Sequence, residues 1–297
     1  RSLVELELKN AWLSVEALVP MPTLTSLTLE FIRLDDEDLS KVNHCFPSLR
    51  VLNLIGVGGL KEPTIQLQHL QACRWTVSNA PLSLTIRAPN LVKLELQCIR
   101  PRSVVLDVPL LSDLRLSIEK ADSLEIKEFV GLKCLCLESP NLCSLIRSFP
   151  PAIVVRSLTV DALKCTGPVE MTMLSFEALI HSFPKVSCLT LRSGAWADME
   201  TCFLVAGLQN RRGFSALKEL NAQLVIHDVD VTLPFIFSLL DKCPNLANVG
   251  LLVPSELDPS VASKLFSSCI ENRPLVRWRW GNWSEGSEDC WMYDGFE

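Results

Sequence analysis

The chain has 297 residues, 48% of them hydrophobic, with 28 basic against 34 acidic side chains and a net charge of −6. That apolar content suffices for a large core, yet no apolar run approaches the roughly 18–20 residues that cross a bilayer. An acidic balance also lacks the phosphate-neutralising surface that nucleic-acid binding needs, so neither a membrane nor a nucleic-acid partner is expected.

Arg1-Ser2-Leu3-Val4-Glu5-Leu6 shows no signal-peptide pattern and opens inside a repeated unit, so the expectation is a fragment of an intracellular protein, cytoplasmic or nuclear. The unit is an apolar residue, two variable residues, Leu, one variable residue, Leu. It runs through Leu3-Leu6-Leu8, Leu24-Leu27-Leu29, Leu49-Leu52-Leu54, Leu91-Leu94-Leu96, Leu111-Leu114-Leu116 and Leu132-Leu135-Leu137. Val155-Leu158-Val160 and Val186-Leu189-Leu191 continue it, with weaker copies at Leu217-Leu220 and Leu246-Val249-Leu251. Leu67-Leu70-Ala72 is assigned to the gap after Leu54.

Pro22, Pro47, Pro89, Pro109, Pro140, Pro184 and Pro244 each stand two residues before a first apolar position. Proline fixes its own φ and drives its predecessor to extended geometry, so it marks the turn entering each strand. The copy at Pro140 does not continue cleanly, because Arg147 follows Leu145.

Spacing separates two regimes. Leu91, Leu111, Leu132 and Val155 are 20, 21 and 23 residues apart, whereas Val155, Val186, Leu217 and Leu246 are 31, 31 and 29 apart. In the tight regime a second motif recurs at Ser83-Leu84-Thr85-Ile86, Ser103-Val104-Val105-Leu106, Ser123-Leu124-Glu125-Ile126 and Ser144-Leu145-Ile146-Arg147. These segments are rich in strand-forming residues and predict a second short strand in each coil.

The long coils have room for helices. Phe176, Leu179, Ile180 and Phe183 fall at i, i+3, i+4, i+7, as do Ile236, Leu239, Leu240 and Cys243, which is the stripe of an amphipathic helix. A third helix is predicted from Asp258-Pro259-Ser260, with Asp as N-cap and Pro at the first helical position, turning Val261, Leu265 and Cys269 inward.

A strand with unpaired edges and half-buried leucines cannot stand alone, and stacked copies form one continuous core. The expected fold is an α/β leucine-rich-repeat solenoid. It has a parallel concave sheet, short convex strands in the middle coils and convex helices in the C-terminal coils. The repeats are expected over residues 1–275 and a Trp-rich cap with an acidic tail over 276–297.

In such a repeat the leucines face the core and the residues between them face the concave side. The central column then reads Glu7, Thr28, Asn53, Glu95, Arg115, Cys136, Thr159, Thr190, Asn221 and Gly250, beside a column with Lys93, Asp113, Cys134, Ser157, Cys188 and Glu219. Lys93 is expected to meet Asp113, and Glu95 to meet Arg115. The candidate protein-binding residues are Asn53, Lys93, Glu95, Asp113, Arg115, Cys136, Thr159, Thr190 and Asn221. Cross-strand charge pairing that keeps an exposed sheet soluble explains the charged members equally simply, and is the favoured reading of them.

The C-terminus holds Trp278, Trp280, Trp283 and Trp291, with Val276-Arg277-Trp278-Arg279-Trp280 alternating like a strand before Glu285, Glu288, Asp289 and Asp294. Tryptophan is favoured at binding hot spots, but a solenoid must also cover its last core edge, and the cap is the favoured role.

No catalytic constellation is visible. His44, His69, His181 and His227 lack a partner motif, and Gly56, Gly58 and Gly59 lack the Lys-Ser/Thr of a phosphate cradle. Twelve cysteines include only one close pair, Cys134-x-Cys136, without the paired clusters of a zinc site. They read as reduced thiols, Cys45, Cys243 and Cys269 in core positions. No enzyme activity, metal or cofactor is expected. Asn282-Trp283-Ser284 is a weak glycosylation sequon, and Arg211-Arg212 beside Gly213 reads as a loop.

Phe46-Pro47-Ser48-Leu49-Arg50-Val51-Leu52-Asn53-Leu54, Ala88-Pro89-Asn90-Leu91-Val92-Lys93-Leu94-Glu95-Leu96 and Cys243-Pro244-Asn245-Leu246 resemble the repeats of plant F-box/leucine-rich-repeat proteins. Asp35-Asp36-Glu37-Asp38-Leu39 ahead of a Phe-Pro-Ser-Leu strand adds to the likeness. The resemblance covers essentially the whole chain and implies a non-catalytic substrate-recognition module of an SCF-type cullin–RING ubiquitin ligase. The protein substrate would lie on the concave face, and the ligase adaptor would bind an F-box absent from this chain. Some relatives hold a small hormone and an inositol phosphate in a basic pocket, for which no matching Lys/Arg cluster is seen here. The alternative is a leucine-rich-repeat binding or scaffold module unrelated to ubiquitination, such as one for immune recognition.

Overall fold

The computed structural model describes residues 3–11, 19–77, 81–119, 122–127, 129, 131–150, 153–164, 173–207 and 213–292. The Arg211-Arg212 pair and Asp294 lie outside the described residues. The chain divides into two compact units, Arg1–Ser139 and Pro140–Glu297.

In the first unit the elements follow as β1 (Glu5–Lys9), β2 (Ser26–Glu30), α1 (Asp36–Cys45), β3 (Val51–Val57), β4 (Thr64–Gln66) and β5 (Ala72–Val77). Then come β6 (Ser83–Arg87), β7 (Lys93–Cys98), β8 (Ser103–Asp107), β9 (Asp113–Ile118), β10 (Ser123–Ile126) and β11 (Cys134–Glu138). β1, β2, β3, β5, β7, β9 and β11 form one parallel run, and β4, β6, β8 and β10 a second parallel sheet. The two sheets alternate along the chain, so each tight coil gives one strand to each.

Strand alternation explains why. Leu94 and Leu96 of β7, Leu84 and Ile86 of β6, and Val104 and Leu106 of β8 are all buried, while the residues between them are at least partly open. Each fully buried aliphatic side chain is worth about 1.5–3 kcal/mol. The prolines enter the strands through hydrogen-bonded turns: Leu49 N donates to Phe46 O at 3.1 Å across Pro47, and Leu91 N to Ala88 O at 3.1 Å across Pro89. Proline is favoured at the second position of such a turn.

Two expectations are corrected. The copy after Leu54 is Leu70-Cys73-Trp75 and not Leu67-Leu70-Ala72: Cys73 pairs with Leu52 and Trp75 with Leu54, and Leu70, Cys73 and Trp75 are buried. Cysteine and tryptophan fill leucine positions because the core requires an apolar side chain there and not leucine itself. The segment at Ser144 is no strand but the helix α2 (Leu142–Arg147), which opens the second unit. Its buried residues, Leu142, Cys143, Leu145 and Ile146, recur with helical spacing.

The helix α1 follows Asp35, whose side chain accepts from Asp38 N, and its first turn carries Asp36, Glu37 and Asp38, the charge sign that helix N-termini favour. It inserts Leu39 and Val42 into the core.

After α2 the second unit continues with β12 (Ser157–Asp161), α3 (Phe176–Ser182), β13 (Cys188–Leu191), α4 (Ser193–Ala206) and β14 (Glu219–Gln223). It ends with α5 (Val229–Asp241), β15 (Asn248–Pro254), α6 (Pro259–Asn272), β16 (Arg277–Trp283) and β17 (Cys290–Trp291). β12 to β16 pair in parallel, and β17 turns back antiparallel on β16. The longer spacing is taken up by helices. Phe176, Leu179, Ile180 and Phe183 are buried as their stripe predicts, and so are Ile236, Leu239, Leu240 and Cys243. Asp258 caps α6 by accepting from Ser260 N, and Leu265 and Cys269 face the core, whereas Val261 is only half-buried. Among the described residues no helix is long and apolar enough to cross a membrane.

Candidate functional site

The parallel ladders place the candidate residues side by side, on the face opposite the buried leucines. In the first unit the row is Glu7, Thr28, Asn53, Arg74, Glu95, Arg115 and Cys136. In the second it is Thr159, Thr190, Asn221, Gly250 and Arg279. Lys93 and Asp113 are cross-strand neighbours one step down, and Cys134 follows Asp113.

The charges do not pair as Lys93 with Asp113 and Glu95 with Arg115: Glu95 takes its ladder neighbour on the other side, Arg74, and Arg115 reaches off register to Glu138. Lys93 faces Asp113 and Glu95 faces Arg115 in the ladder, but the ion pairs are Glu95 with Arg74 at 3.6 Å and Arg115 with Glu138 at 2.6 Å. Burial works against the charge of Arg115, yet Glu138 above all, with Cys136 and Glu95, holds its guanidinium above the usual value. Asp113 instead accepts from Ser112 Oγ. Asn53 donates to Thr28 Oγ1 at 3.0 Å, and Cys136 Sγ to Glu138 at 3.7 Å. The face of the first unit is a polar surface whose arginines are already neutralised.

Five thiols, Cys73, Cys98, Cys134, Cys243 and Cys269, are held protonated. Burial and the hydrogen bond with Asp113 push Cys134 up, and burial pushes Cys73, Cys243 and Cys269 up to about 12 and Cys98 up to about 11. A protonated thiol is a poor nucleophile and metal ligand. Among the described residues no group of three His, Cys, Asp or Glu side chains is placed to hold a metal ion.

The second unit presents a different surface at its last strands. Trp278 and Trp280 take leucine positions, in register with Val249 and Leu251. Trp280 packs on Phe266 of α6 at 3.9 Å between ring centroids, and Trp278 stacks on Trp280 at 5.5 Å. With both indoles turned to the core, Arg277 and Arg279 emerge on the open face. Arg279 lies 3.9 Å from the centre of the Trp291 ring and donates to Asn221 Oδ1 at 3.2 Å, while Asn221 Nδ2 donates to Glu219 at 2.9 Å. A cavity of about 190 Å³ opens here, lined by Glu219, Asn221, Asn248, Val249, Gly250, Arg277 and Arg279. Gly250 is needed at its floor: a Cβ there would stand 2.4 Å from Asn221 Oδ1 and 2.8 Å from the Trp291 ring.

Of the residues around this cavity, the sequence reading placed Asn221 as a candidate and Gly250 and Glu219 in the columns. Arg277, Arg279 and Trp291 stand in the segment that the sequence assigns to a cap, and on the first unit's face Arg74 is concealed by the displaced repeat. The signal was available in Arg277-Trp278-Arg279-Trp280: tryptophan in the leucine positions forces arginine into the columns.

No family model and no solved structure matches the chain. Over 294 residues, 98% of its length, the chain is 46% identical to an F-box/LRR-repeat protein of Arabidopsis thaliana, of which it spans 66%. Over 266 residues, 89% of its length, it is 23% identical to a putative FBD-associated F-box protein of the same plant, of which it spans 53%.

Proposed function

The chain belongs to the plant F-box/leucine-rich-repeat family, and on that premise we propose that it is the substrate-recognition module of an SCF-type cullin–RING E3 ubiquitin ligase. The observation that carries this reading is the 46% identity to an F-box/LRR-repeat protein over 98% of the chain. In this role it performs no chemistry and acts by holding a protein where the ligase can reach it. Adaptor binding is the task of an F-box, and the repeats supply the grip.

The strand arrangement supports the assignment of faces. In each unit the face carrying Asn53, Glu95, Arg115, Thr159, Thr190 and Asn221 is the concave, substrate-facing surface. In the first unit β4, β6, β8 and β10 lie on the convex side, as the helices do in the second. Backbone hydrogen bonds hold such a sheet rigid, so the side chains on it are presented at little entropic cost on binding. The Trp-rich segment after residue 275 caps the last core edge, a role supported by Trp280 packing on Phe266 and Trp278 stacking on Trp280.

Affinity purification of the full-length protein from cells that express it, followed by proteomics, tests the reading. The expected result is co-purification of the cullin, its RING subunit and the small adaptor, together with a further enriched protein as substrate. Reproducible recovery of other partners with no ligase subunit would overturn it.

A further inference from the structure

Among the described residues, two guanidinium groups on the open face of the second unit have no carboxylate paired with them. Arg74 and Arg115 on the first unit's face are paired with Glu95 and Glu138, and in the second unit Lys264 and Arg273 pair with Asp230 and Asp241. Among the described residues Arg277 and Arg279 make no ion pair. Arg277 is exposed, next to Asn248 in the ladder. Arg279 reaches across Gly250, which has no side chain to obstruct it, to the neutral amide of Asn221, and it is held against Trp291. Its hydrogen bond and its stacking fix the geometry of the guanidinium but leave its charge unanswered. Glu219, the carboxylate lining the cavity, accepts from Asn221 and stands two strands away from Arg277 in the same ladder row.

We propose that this cavity binds an acidic segment of a protein partner, with a carboxylate bridging Arg277 and Arg279 and the amides of Asn221 and Asn248 at its sides. The proposal rests on the reading of the chain as a protein-binding module and names the chemistry of what it binds. Charge-assisted bonds from arginine to carboxylate are among the strongest available at a surface. Stacking on an indole pre-orients Arg279 and reduces what binding must order. The volume of about 190 Å³ suits one or two acidic side chains. In a chain of net charge −6, a local pair of unanswered cations gives register, because an acidic segment is repelled over most of the remaining surface.

The test is fluorescence polarisation of the purified full chain with a fluorescein-labelled hexaglutamate peptide, and with hexalysine as control. The chain binds hexaglutamate in preference to hexalysine, and binding weakens as salt rises from about 50 to about 300 mM. Arg277 is exposed and among the described residues its side chain makes no ion pair, so Arg277→Ala is the decisive variant: it weakens binding at least about tenfold with an unchanged unfolding temperature. Arg279→Lys keeps the charge and loses the stacked fork, and also weakens binding, whereas Thr85→Ala, on the second sheet of the first unit, leaves it unchanged. Equal affinity for the two peptides, indifference to Arg277→Ala, or displacement of the peptide by a single-stranded oligonucleotide would each overturn the proposal. No ligase subunit is present in this assay, so its failure leaves the ligase reading standing, and the absence of ligase subunits from a purification leaves this site standing.

Discussion

Leu94 and Glu95 are neighbours in the chain on opposite faces of β7. Leu94 is 1% exposed, whereas Glu95 is partly open and held by Arg74 at 3.6 Å. Removing the leucine side chain leaves a cavity in a close-packed interior, so Leu94→Ala costs about 2–5 kcal/mol. Removing a partly solvated ion-pair partner costs under about 1 kcal/mol, which is the expectation for Glu95→Ala. Chemical denaturation of the two variants checks the register directly, and similar losses would mean that the assigned register is wrong. At this scale the sequence was legible wherever an apolar residue alternated with a polar one. It misled at Cys73 and Trp75, which satisfy the core without being leucine and so concealed Arg74. It also placed Glu95 beside Arg115 correctly without revealing which charges meet. Ladder register fixes Cα neighbours, but a long arginine side chain selects among carboxylates on either side, and Arg115 selects Glu138.

At the scale of elements, amphipathic spacing announced α3, α5 and α6, whose apolar residues lie on one face. It did not announce α4, which carries Ala195, Trp196, Met199, Phe203, Leu204 and Val205 around most of its circumference. Trp196 and Met199 are buried while Leu204 and Val205 are exposed, so no stripe stands out in the sequence. Nor did the sequence distinguish α2 from a strand, because six residues of alternating and helical pattern overlap too closely. The helix α4 also carries Glu200 into the interior, where it is 6% exposed. Burial raises its carboxyl above the usual 4.5, and Thr232, His227 and Trp196 offset only part of that. A raised value means that the folded protein holds this proton more tightly than the unfolded chain. The associated stability is therefore complete below pH 4.5 and is lost as pH rises through the higher folded value. Asp198, also raised by burial, contributes in the same direction. Glu200→Gln removes one of the two ionisations, so the decline in unfolding temperature from acidic to neutral pH becomes shallower. An unchanged decline would show that Glu200 does not ionise in the folded interior.

At the scale of the whole chain, repeat length governs architecture. Steps of 20 and 21 residues leave space for a second short strand, and the first unit accordingly builds two interleaved sheets, whereas the step of 23 holds the short helix α2. Steps of 31, 31 and 29 admit helices, and the second unit alternates strand with helix. Within each unit the parallel ladder brings alternate side chains of its strands to one open face, and the proposed function depends on these faces. Site-specific photo-crosslinking in cells tests this most directly, with a benzophenone residue placed at Asn53 or Thr190 on the open face, or at Thr85 or Glu125 on the second sheet. The expected result is that the substrate recovered with the ligase crosslinks from Asn53 or Thr190 and not from Thr85 or Glu125. Crosslinking confined to Thr85 and Glu125 would contradict this and move the binding surface to the second sheet of the first unit.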